Sequence, residues 1–189
     1  MISSILLAAG QSKRMLGENK LIKCIQGVPL IKHSVKNILE SSIQELIIVL
    51  GYQNEKIKKI IDKNKKIKFI MNTNFESGIS SSIKEGLKHL NKKSEAFFIC
   101  LGDMPLINNR IYNEIIKQKN DNEIIIPTYK GEQGNPILFS RSMKKEIMNL
   151  HGDHGAKKLL KSNKYKILNI EVNDQSVMKD FNTINNFSV

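Results

Sequence analysis

Short apolar runs alternate with segments of helical periodicity in the N-terminal part of the chain, and this alternation constrains the fold most strongly. Residues 5–9, 45–50 and 67–71 are largely apolar runs of strand length. Such runs predict buried strands. The intervening residues 30–40 and 54–63 carry apolar side chains at helical spacing. Strands that alternate with helices predict a mainly parallel sheet covered on both faces, whose ligands bind beyond the carboxyl ends of the strands.

The same alternation continues toward the C-terminus, so we expect an α/β protein throughout. We predict further strands at residues 96–101, 123–127, 137–139 and 165–172, and further helices at residues 107–119 and 142–150 and around Ile83, Leu87 and Leu90. We also expect a short extended segment at residues 20–24 and a final helix that begins at Asp180. A chain of 189 residues can bury a sizeable core. No internal repeat, low-complexity tail or linker interrupts the sequence, so we expect a single domain over residues 1–189.

The chain is strongly basic, with a net charge of +12 from 30 Lys and Arg residues against 18 Asp and Glu residues. The densest lysine runs, at 56–59 and 63–66, have no interleaved aromatic residues and so offer no platform for stacking bases. We interpret them as solvated surface and expect no nucleic-acid partner; the alternative would require tight, salt-sensitive duplex binding. A basic chain does favour small anionic ligands such as nucleotides.

The two cysteines, Cys24 and Cys100, lie in apolar sequence settings without CxxC spacing. We expect both to be reduced core residues, and neither a disulfide framework nor a cysteine metal site is predicted. No apolar run has the length of a membrane span, and the N-terminus lacks the pattern of a signal peptide. The expectation is a cytoplasmic protein with no membrane partner.

The loop after the first predicted strand combines small and cationic residues. Its small side chains, at residues 8–10 and Ser12, let a ligand approach the backbone closely. Arg14 and Lys20 place cations beside that backbone, an arrangement suited to a polyphosphate, although an ordinary basic loop is the alternative. The loop matches neither the Walker motif G-x-x-x-x-G-K-[ST] nor the dinucleotide-binding motif G-x-G-x-x-G. The candidate nucleotide-binding residues here are Leu7, Ala8, Ala9, Gly10, Ser12 and Lys13.

Three serines mark the start of a predicted helix after the strand at 67–71. Residues 72–82 read NTNFESGISSS, and their hydroxyls could cap the free N–H groups of the helix. Three serines exceed what one cap requires, which favours a helix terminus that faces an anion or a nucleotide base. The candidate nucleotide-binding residues here are Asn74, Gly78, Ser80, Ser81 and Ser82.

A carboxylate follows the predicted strand at 96–101 in the tetrapeptide G-D-M-P, residues 102–105. Asp103 could be a turn former or a helix cap. It is also well placed for Mg²⁺, which takes one or two protein carboxylates and completes its shell with phosphate oxygens and water.

Two glycine-containing segments follow in the second half. Residues 129–139 predict a hairpin loop whose glycines permit tight turns and close ligand approach. Residues 151–158, HGDHGAKK, predict a loop capped into a helix by Asp153. A transition-metal site on His151, Asp153 and His154 is the alternative there, but their spacing suits it poorly.

These segments resemble, in the same order along the chain, the nucleotidyltransferases of the molybdenum cofactor cytidylyltransferase (MobA/MocA) type. The opening loop matches the family signature L-A-A-G-x-S-x-R-M…K, and G-D-M-P matches the metal motif in full. Three further segments resemble N-x-x-x-x-x-G-M-S-S-S, G-x-x-G-H-P-x-L-F and L-x-G-D-x-G-A-R, with Ile79, Asn135 and Lys157 in place of Met, His and Arg. The closing segment resembles D-x-D-T-P-x-D, with Asn182 in place of the second Asp and without the Pro and the last Asp of the motif.

The resemblance implies a three-layer α/β/α sandwich with a mostly parallel, Rossmann-like sheet of the nucleotide-diphospho-sugar transferase type. It implies catalytic roles for Arg14, Lys20 and Asp103, in which the two cations hold the triphosphate. It also implies that Asp103 and Asn182 bind Mg²⁺, with Asp180 as an outer or alternative ligand and Mn²⁺ as an alternative metal. The implied acceptor-binding residues are Gln133, Gly134, Asn135, Pro136, Asp153 and Lys157.

The implied activity is transfer of CMP from CTP to molybdopterin or its molybdenum form, with release of pyrophosphate. Ala8, Ala9 and Gly10 resemble the cytidylyl branch more than the guanylyl branch, which favours L-A-G-G. Two alternatives stay open. One is a nucleotidyltransferase that activates a sugar or alditol phosphate, and the other is a non-catalytic accessory protein for a molybdenum hydroxylase, the protein partner that the resemblance implies.

Overall fold

The computed structural model describes residues 1–12, 19–150, 157–160 and 163–182 of the chain. The strands are β1 (Ile2–Ala8), β2 (Cys24–Ile25), β3 (Val28–Pro29), β4 (Glu45–Leu50), β5 (Ile67–Met71), β6 (Ala96–Leu101), β7 (Ile124–Tyr129), β8 (Glu132–Gln133), β9 (Ile137–Ser140) and β10 (Ile167–Glu171). The helices are α1 (Leu30–Leu39), α2 (Asn54–Ile60), α3 (Ile79–Lys88), α4 (Asn109–Lys117), α5 (Lys144–Met148) and α6 (Lys157–Leu160).

Strand β1 lies inside the main sheet, whose order over the described residues is β10-β7-β9-β6-β1-β4-β5, with β8 paired to β7. β1 is parallel to both of its neighbours, β4 and β6, and β4 is parallel to β5. β10 and β7 are parallel to each other, whereas β9 runs antiparallel between β6 and β7. The expectation of an α/β fold with a mostly parallel sheet is therefore confirmed.

Helices cover both faces of this sheet because its central strands are apolar on both sides. On one face, Leu6 and Phe98 pack with the apolar side chains of α1 and α4. On the other face, Ile5 and Phe97 pack with those of α3 and α5. Since successive residues of a strand point to opposite faces, an unbroken apolar run supplies both cores at once. The three-layer arrangement follows from this.

Several elements begin or end at residues other than those predicted from the sequence. Residues 20–24 were expected to be extended, but Lys20–Ile22 form a 3-10 turn that the Asn19 side chain caps by accepting the Leu21 N–H at 3.1 Å. The helix expected over 54–63 ends at Ile60, because Ile61 is extended. The helix expected over 107–119 begins after Asn108, whose side chain caps it. The final helix expected from Asp180 falls mostly outside the described residues, and residues 180–182 are not helical.

The two cysteines differ in environment. Cys100 is buried in β6 as expected, whereas the core position expected for Cys24 is wrong, since that side chain is exposed. Cys24 belongs to the two-residue strand β2, which pairs with β3 in a two-stranded sheet separate from the main sheet. No helix within the described residues has both the length and the apolar character that crossing a membrane requires.

The carboxyl ends of three parallel strands meet at one edge of the sheet. Ala8 of β1 is in register with Leu50 of β4, and Leu7 is in register with Leu101 of β6. A glycine follows each of the two outer strands where the backbone of β1 passes close by. A Cβ on Gly51 would lie 2.8 Å from the Ala9 carbonyl oxygen, and one on Gly102 would lie 2.9 Å from that of Leu7. The loops after these strands therefore converge.

Candidate active site

An open cleft of about 430 Å³ lies at this convergent edge. Its walls come from the loop after β1, the segment that leads into α3, and the end of β6. The predicted site residues that line it are Leu7, Ala9, Gly10, Ser12, Lys20, Gly78, Ser82 and Asp103. The loop after the first strand, the serine segment and the G-D-M-P carboxylate, which are far apart in sequence, are thus brought together.

A lysine and a carboxylate face each other in the cleft. The Nζ atom of Lys20 contacts the Asp103 carboxylate and donates to Asn182 Oδ1 at 2.6 Å. The Lys20 and Asp103 side chains are 17% and 16% exposed, so water screens their attraction only in part. One ammonium group therefore holds two of the three predicted metal ligands.

Short polar contacts fix the position of Lys20. Its backbone N–H donates to the Ser12 hydroxyl at 3.1 Å, and Ser12 itself has a positive φ of 53°. Asn19, next to Lys20, caps the 3-10 turn and also donates to the Tyr52 carbonyl at 3.3 Å. The Tyr52 N–H in turn donates to the Ala9 carbonyl at 3.2 Å. Both flanks of the cation are thus tied to the strand ends that carry the cleft.

The segment at residues 180–182 reaches the same point from the C-terminal side. The Phe181 N–H donates to the Asp103 carbonyl at 2.9 Å, and the Phe181 side chain is buried. This anchor places Asn182 beside Lys20, while the exposed Asp180 accepts a hydrogen bond from the Asn182 amide at 2.5 Å. Asp180 therefore touches Asn182 rather than Lys20 or Asp103 in the contacts of the described residues.

The cleft offers hard oxygen donors but few of them. Within the described residues, no three His, Cys, Asp or Glu side chains gather in a metal-binding group. Asp103 and Asn182 would therefore need oxygens from a ligand or from water to complete a coordination shell. That donor set suits Mg²⁺ or Mn²⁺, which bind carboxylate and carbonyl oxygens together with phosphates.

The serine segment forms a hydrogen-bonded corner at the start of α3. The Asn72 side chain donates to the hydroxyls of Ser81 at 2.9 Å and Ser82 at 3.0 Å. Ser82 lines the cleft, whereas Ser80 is buried and its hydroxyl has no partner among the described residues. Asn74, Ser80 and Ser81 are not part of the cleft wall, although all were predicted to bind nucleotide.

Two polar residues of the cleft, Gln11 and Glu76, were not predicted from the sequence. Gln11 donates to the Glu76 carboxylate at 2.6 Å, and this contact joins the loop after β1 to the segment before α3. Both side chains line the cleft, together with Phe75. Gln11 lies in the opening loop and Glu76 in the segment 72–82, and both segments resemble motifs of the family. Their pairing depends on how two strand ends meet, which no local pattern reports.

The predicted acceptor residues 133–136 lie beside the cleft rather than in its wall. Gly134 packs so closely on the 3-10 turn Gln175–Met178 that a Cβ there would lie 2.6 Å from the Val177 carbonyl oxygen. The Asn135 N–H donates to that same carbonyl at 2.9 Å, and the Asn135–Pro136 peptide is cis. The chain then continues from Val177 to Asn182, so one segment links this turn to Asp103. The Gln133 amide donates to Asn169 at 3.0 Å.

Four predicted site residues have no described side chain. Lys13, Arg14 and Asp153 lie outside the described residues. Lys157 begins helix α6, but its side chain also lies outside the described part. The alternative metal site on residues 151–154 falls in the same gap.

Comparison with known proteins extends these observations. The family model described as the MobA-like NTP transferase domain matches residues 4–167. The molybdenum cofactor cytidylyltransferase of Escherichia coli K12 is 27% identical over 187 residues, which cover 98% of this chain and 93% of that protein. A probable molybdenum cofactor guanylyltransferase of Methanosarcina acetivorans is 26% identical over 151 residues, which cover 77% of this chain and 66% of that protein.

A solved structure shares the fold. The crystal structure of Rv0371c from Mycobacterium tuberculosis H37Rv in complex with manganese superposes with a TM-score of 0.77 at 22% sequence identity. The match covers 90% of this chain and 88% of that chain. At this level of identity, the likeness concerns the fold alone.

Proposed function

Since the chain belongs to the MobA-like NTP transferase domain family and is therefore a nucleotidyltransferase, we propose that it transfers CMP from CTP to molybdopterin or its molybdenum form. The observation that carries this proposal is the contact between Lys20 and Asp103 in a cleft lined by the glycine loop after β1. A phosphate oxygen of the acceptor forms a bond to the α-phosphorus, the bond from that phosphorus to the β-phosphate oxygen breaks, and pyrophosphate leaves.

The choice of base and acceptor draws on the relatives. The Escherichia coli cytidylyltransferase aligns over almost the whole chain, and residues 8–10 resemble its branch of the family. The guanylyltransferase of Methanosarcina acetivorans aligns over less of the chain, which makes GTP the second candidate donor. A small phosphorylated acceptor suits both a basic chain and an attacking group that is already ionised, because no general base is then required.

The protein's task in such a reaction is positioning and neutralising charge. Gly10 lies on the cleft wall, and a Cβ there would meet no atom of the described residues within 4 Å, so this part of the loop leaves space for a phosphate chain. Lys20 would bind the α-phosphate, and Arg14 would bind the outer phosphates. Both roles for cations come from the family signature, and the described position of Lys20 in the cleft supports the first.

A divalent cation fits the oxygen donors of Asp103 and Asn182, and we propose these two residues as its protein ligands, with Asp180 holding the Asn182 amide. When bound there, the metal would offset the negative charge that develops on the triphosphate. The manganese in the Rv0371c structure supports a divalent cation in this fold. We propose Mg²⁺ as the ion used, with Mn²⁺ as its substitute.

The acceptor would approach from the side of the turn at residues 133–136. This turn and Asn182 are linked by the single segment that begins at Val177, so acceptor binding and the metal ligands share one support. Asp153 and Lys157 would complete this side. The whole chain, residues 1–189, would then act as one nucleotidyltransferase domain.

Pyrophosphate release tests the proposal directly. The protein would be given Mg²⁺ and each of CTP, GTP, UTP and ATP, with and without molybdopterin. We expect release with CTP only when molybdopterin is present. Pyrophosphate release with a sugar or alditol phosphate instead of molybdopterin would contradict the proposed acceptor. Nucleotide binding without pyrophosphate release, whichever acceptor is added, would contradict the catalytic role.

A further inference from the structure

Asn72 holds a fixed orientation just behind the cleft. It follows β5, its side chain is buried, and it does not line the cleft itself. The backbone N–H of Asn74 donates to Asn72 Oδ1 at 2.9 Å. Because a backbone N–H can only donate, the amide oxygen must face Asn74. The amide nitrogen therefore faces the serines, and its two hydrogens match the two hydroxyls of Ser81 and Ser82.

This orientation determines the direction of the next hydrogen bonds. Ser81 accepts from Asn72 and donates its own proton to the Gly78 carbonyl at 2.8 Å, since a carbonyl oxygen can only accept. Ser82 likewise accepts from Asn72, but no acceptor in the described part of the chain takes its proton. Ser82 is also the serine of this corner that lines the cleft. Its proton is thus the one left to point at a ligand.

We propose that Asn72 is a positioning residue that fixes the Ser82 hydroxyl as a hydrogen-bond donor to the bound nucleotide. The partner on the nucleotide must then be an acceptor atom, either a carbonyl oxygen or unprotonated ring nitrogen of the base or an oxygen of the phosphates. An amino group at that point would leave the Ser82 proton without a partner and would compete with Asn72 for the lone pairs of the hydroxyl oxygen. This inference rests on the proposed function only in taking the cleft as the nucleotide site.

An isosteric substitution can reverse the polarity of this corner. In Asn72→Asp, one carboxylate oxygen still accepts the Asn74 N–H, while the other can only accept protons from the serine hydroxyls. The Ser82 proton is then drawn away from the cleft. Ser82→Ala removes the same donor without touching Asn72. Ser77→Ala is the matched control, because the exposed Ser77 hydroxyl donates only to the Asn74 carbonyl in the same segment.

The experiment measures nucleotide dissociation constants by titration calorimetry on the full chain, with CTP, GTP, UTP and ATP, and thermal unfolding as a check of folding. For the nucleotide that the wild type binds, we expect Asn72→Asp and Ser82→Ala each to weaken binding about fivefold to tenfold, the size of one hydrogen bond. The double variant should be no weaker than Ser82→Ala alone, and Ser77→Ala should bind like the wild type. In turnover, KM for the nucleotide should rise while kcat changes little.

Non-additivity separates this proposal from simpler effects of the new charge. Repulsion between the carboxylate introduced by Asn72→Asp and the phosphates would persist in the Ser82→Ala background. A double variant that binds more weakly than Ser82→Ala, by the factor that Asn72→Asp alone causes, would therefore overturn the proposal. Unchanged nucleotide binding in Asn72→Asp would also overturn it. If Asn72→Asp does not fold, Asn72→Ser is measured in the same cycle with the same expectation. An effect kept with the nucleoside monophosphate assigns the acceptor to the nucleoside or its α-phosphate, and an effect lost with the monophosphate assigns the acceptor to the outer phosphates.

Failure of the proposal for Asn72 can be distinguished from failure of the proposed function. A wild-type protein that binds none of the four nucleotides would overturn both ideas. If the single and double variants of Asn72 and Ser82 show the expected non-additive effects on nucleotide binding but no pyrophosphate is released, the role of Asn72 is supported and only the catalytic proposal is contradicted.

Discussion

The Nζ atom of Lys20 contacts the Asp103 carboxylate and lies 2.6 Å from Asn182 Oδ1, so a single ammonium group occupies the space between the two proposed metal ligands. A divalent cation that takes both oxygens must displace this ammonium. A triphosphate provides the alternative partner that Lys20 then requires. Metal and nucleotide should therefore strengthen each other's binding, and by linkage they should do so equally.

The first prediction concerns Mn²⁺ binding in the absence of nucleotide. Lys20→Gln removes the competing charge, so the Mn²⁺ affinity should rise at least tenfold, because unit charges about 4 Å apart interact by about 4 kcal/mol at an intermediate dielectric. Electron paramagnetic resonance of free Mn²⁺ measures it. Lys36→Gln is the control, since Lys36 is exposed on α1. Equal or weaker Mn²⁺ binding by Lys20→Gln would refute the competition.

The second prediction separates the two carboxylates near Asn182. Asp103→Asn removes the carboxylate that contacts Lys20, and pyrophosphate release should fall at least 100-fold because charge neutralisation at the triphosphate is lost. Asp180→Asn is the matched control. Asp180 is exposed and bonds the Asn182 amide, so its loss should reduce the rate less than tenfold. Similar losses in both variants would show that Asp103 has no special role.

Much of the fold could be predicted because its signals are local. The runs at β1, β4 and β6 are apolar on both faces, and Gly10, Gly51 and Asp103 mark the strand ends where the loops converge. What could not be predicted depends on contacts between distant segments. The contact of Gln11 with Glu76 joins two loops that are 65 residues apart, and its partners follow from strand order rather than from either local pattern.

Other misses arose from side chains that compete for backbone groups. Asn19 caps a 3-10 turn where an extended segment was expected, because its side-chain oxygen accepts the Leu21 N–H. Cys24 lies among apolar neighbours in sequence, yet it falls on a two-strand ribbon outside the sheet and is exposed. Local hydrophobicity predicts burial only where a second layer covers the element.

The third prediction contrasts Gly51, which follows β4, with Gly10, which lines the cleft. In Gly51→Ala the new methyl group would lie 2.8 Å from the Ala9 carbonyl oxygen and from Phe75 Cγ, so we expect a loss of about 1–3 kcal/mol in unfolding free energy. In Gly10→Ala the methyl group lies at the cleft wall and meets no atom within 4 Å in the described part of the chain. Stability should then be unchanged while nucleotide binding weakens. Chemical denaturation and calorimetry measure the two effects, and a destabilised Gly10→Ala would contradict the assignment.

The fourth prediction uses the contrast between the two thiols. Burial raises the pKa of Cys100 to about 12, so this thiol stays protonated and inaccessible at neutral pH. Cys24 is exposed. Ellman's reagent should titrate one thiol in the folded protein and two in denaturant, and Cys24→Ser should abolish the reaction of the folded protein. Two rapidly reacting thiols in the folded wild type would contradict the burial of Cys100.

The fifth prediction concerns acid pH and the turn that leads to residues 133–136. Hydrogen bonds from the Thr128 hydroxyl and from the backbone N–H groups of Lys130 and Gly131 lower the pKa of Glu171 below 4.5. A carboxylate with a lowered pKa in the folded state stabilises the protein above its unfolded pKa, and this contribution is lost as the pH falls through the folded value. The stabilisation should therefore be complete at neutral pH and decline below about pH 4.5.

Thermal unfolding of the wild type and Glu171→Gln between pH 7 and pH 3 measures this contribution. The glutamine cannot ionise, so the wild type should have the higher Tm at pH 7, and the difference should shrink once the pH falls below about 4.5. Glu132→Gln is the control, because Glu132 is an exposed residue of β8 in the same hairpin. Amide exchange of Lys130 and Gly131 should quicken over the same pH range, since their acceptor then loses its charge. A Tm difference that stays constant down to pH 3 would show that the Glu171 carboxylate does not hold this turn.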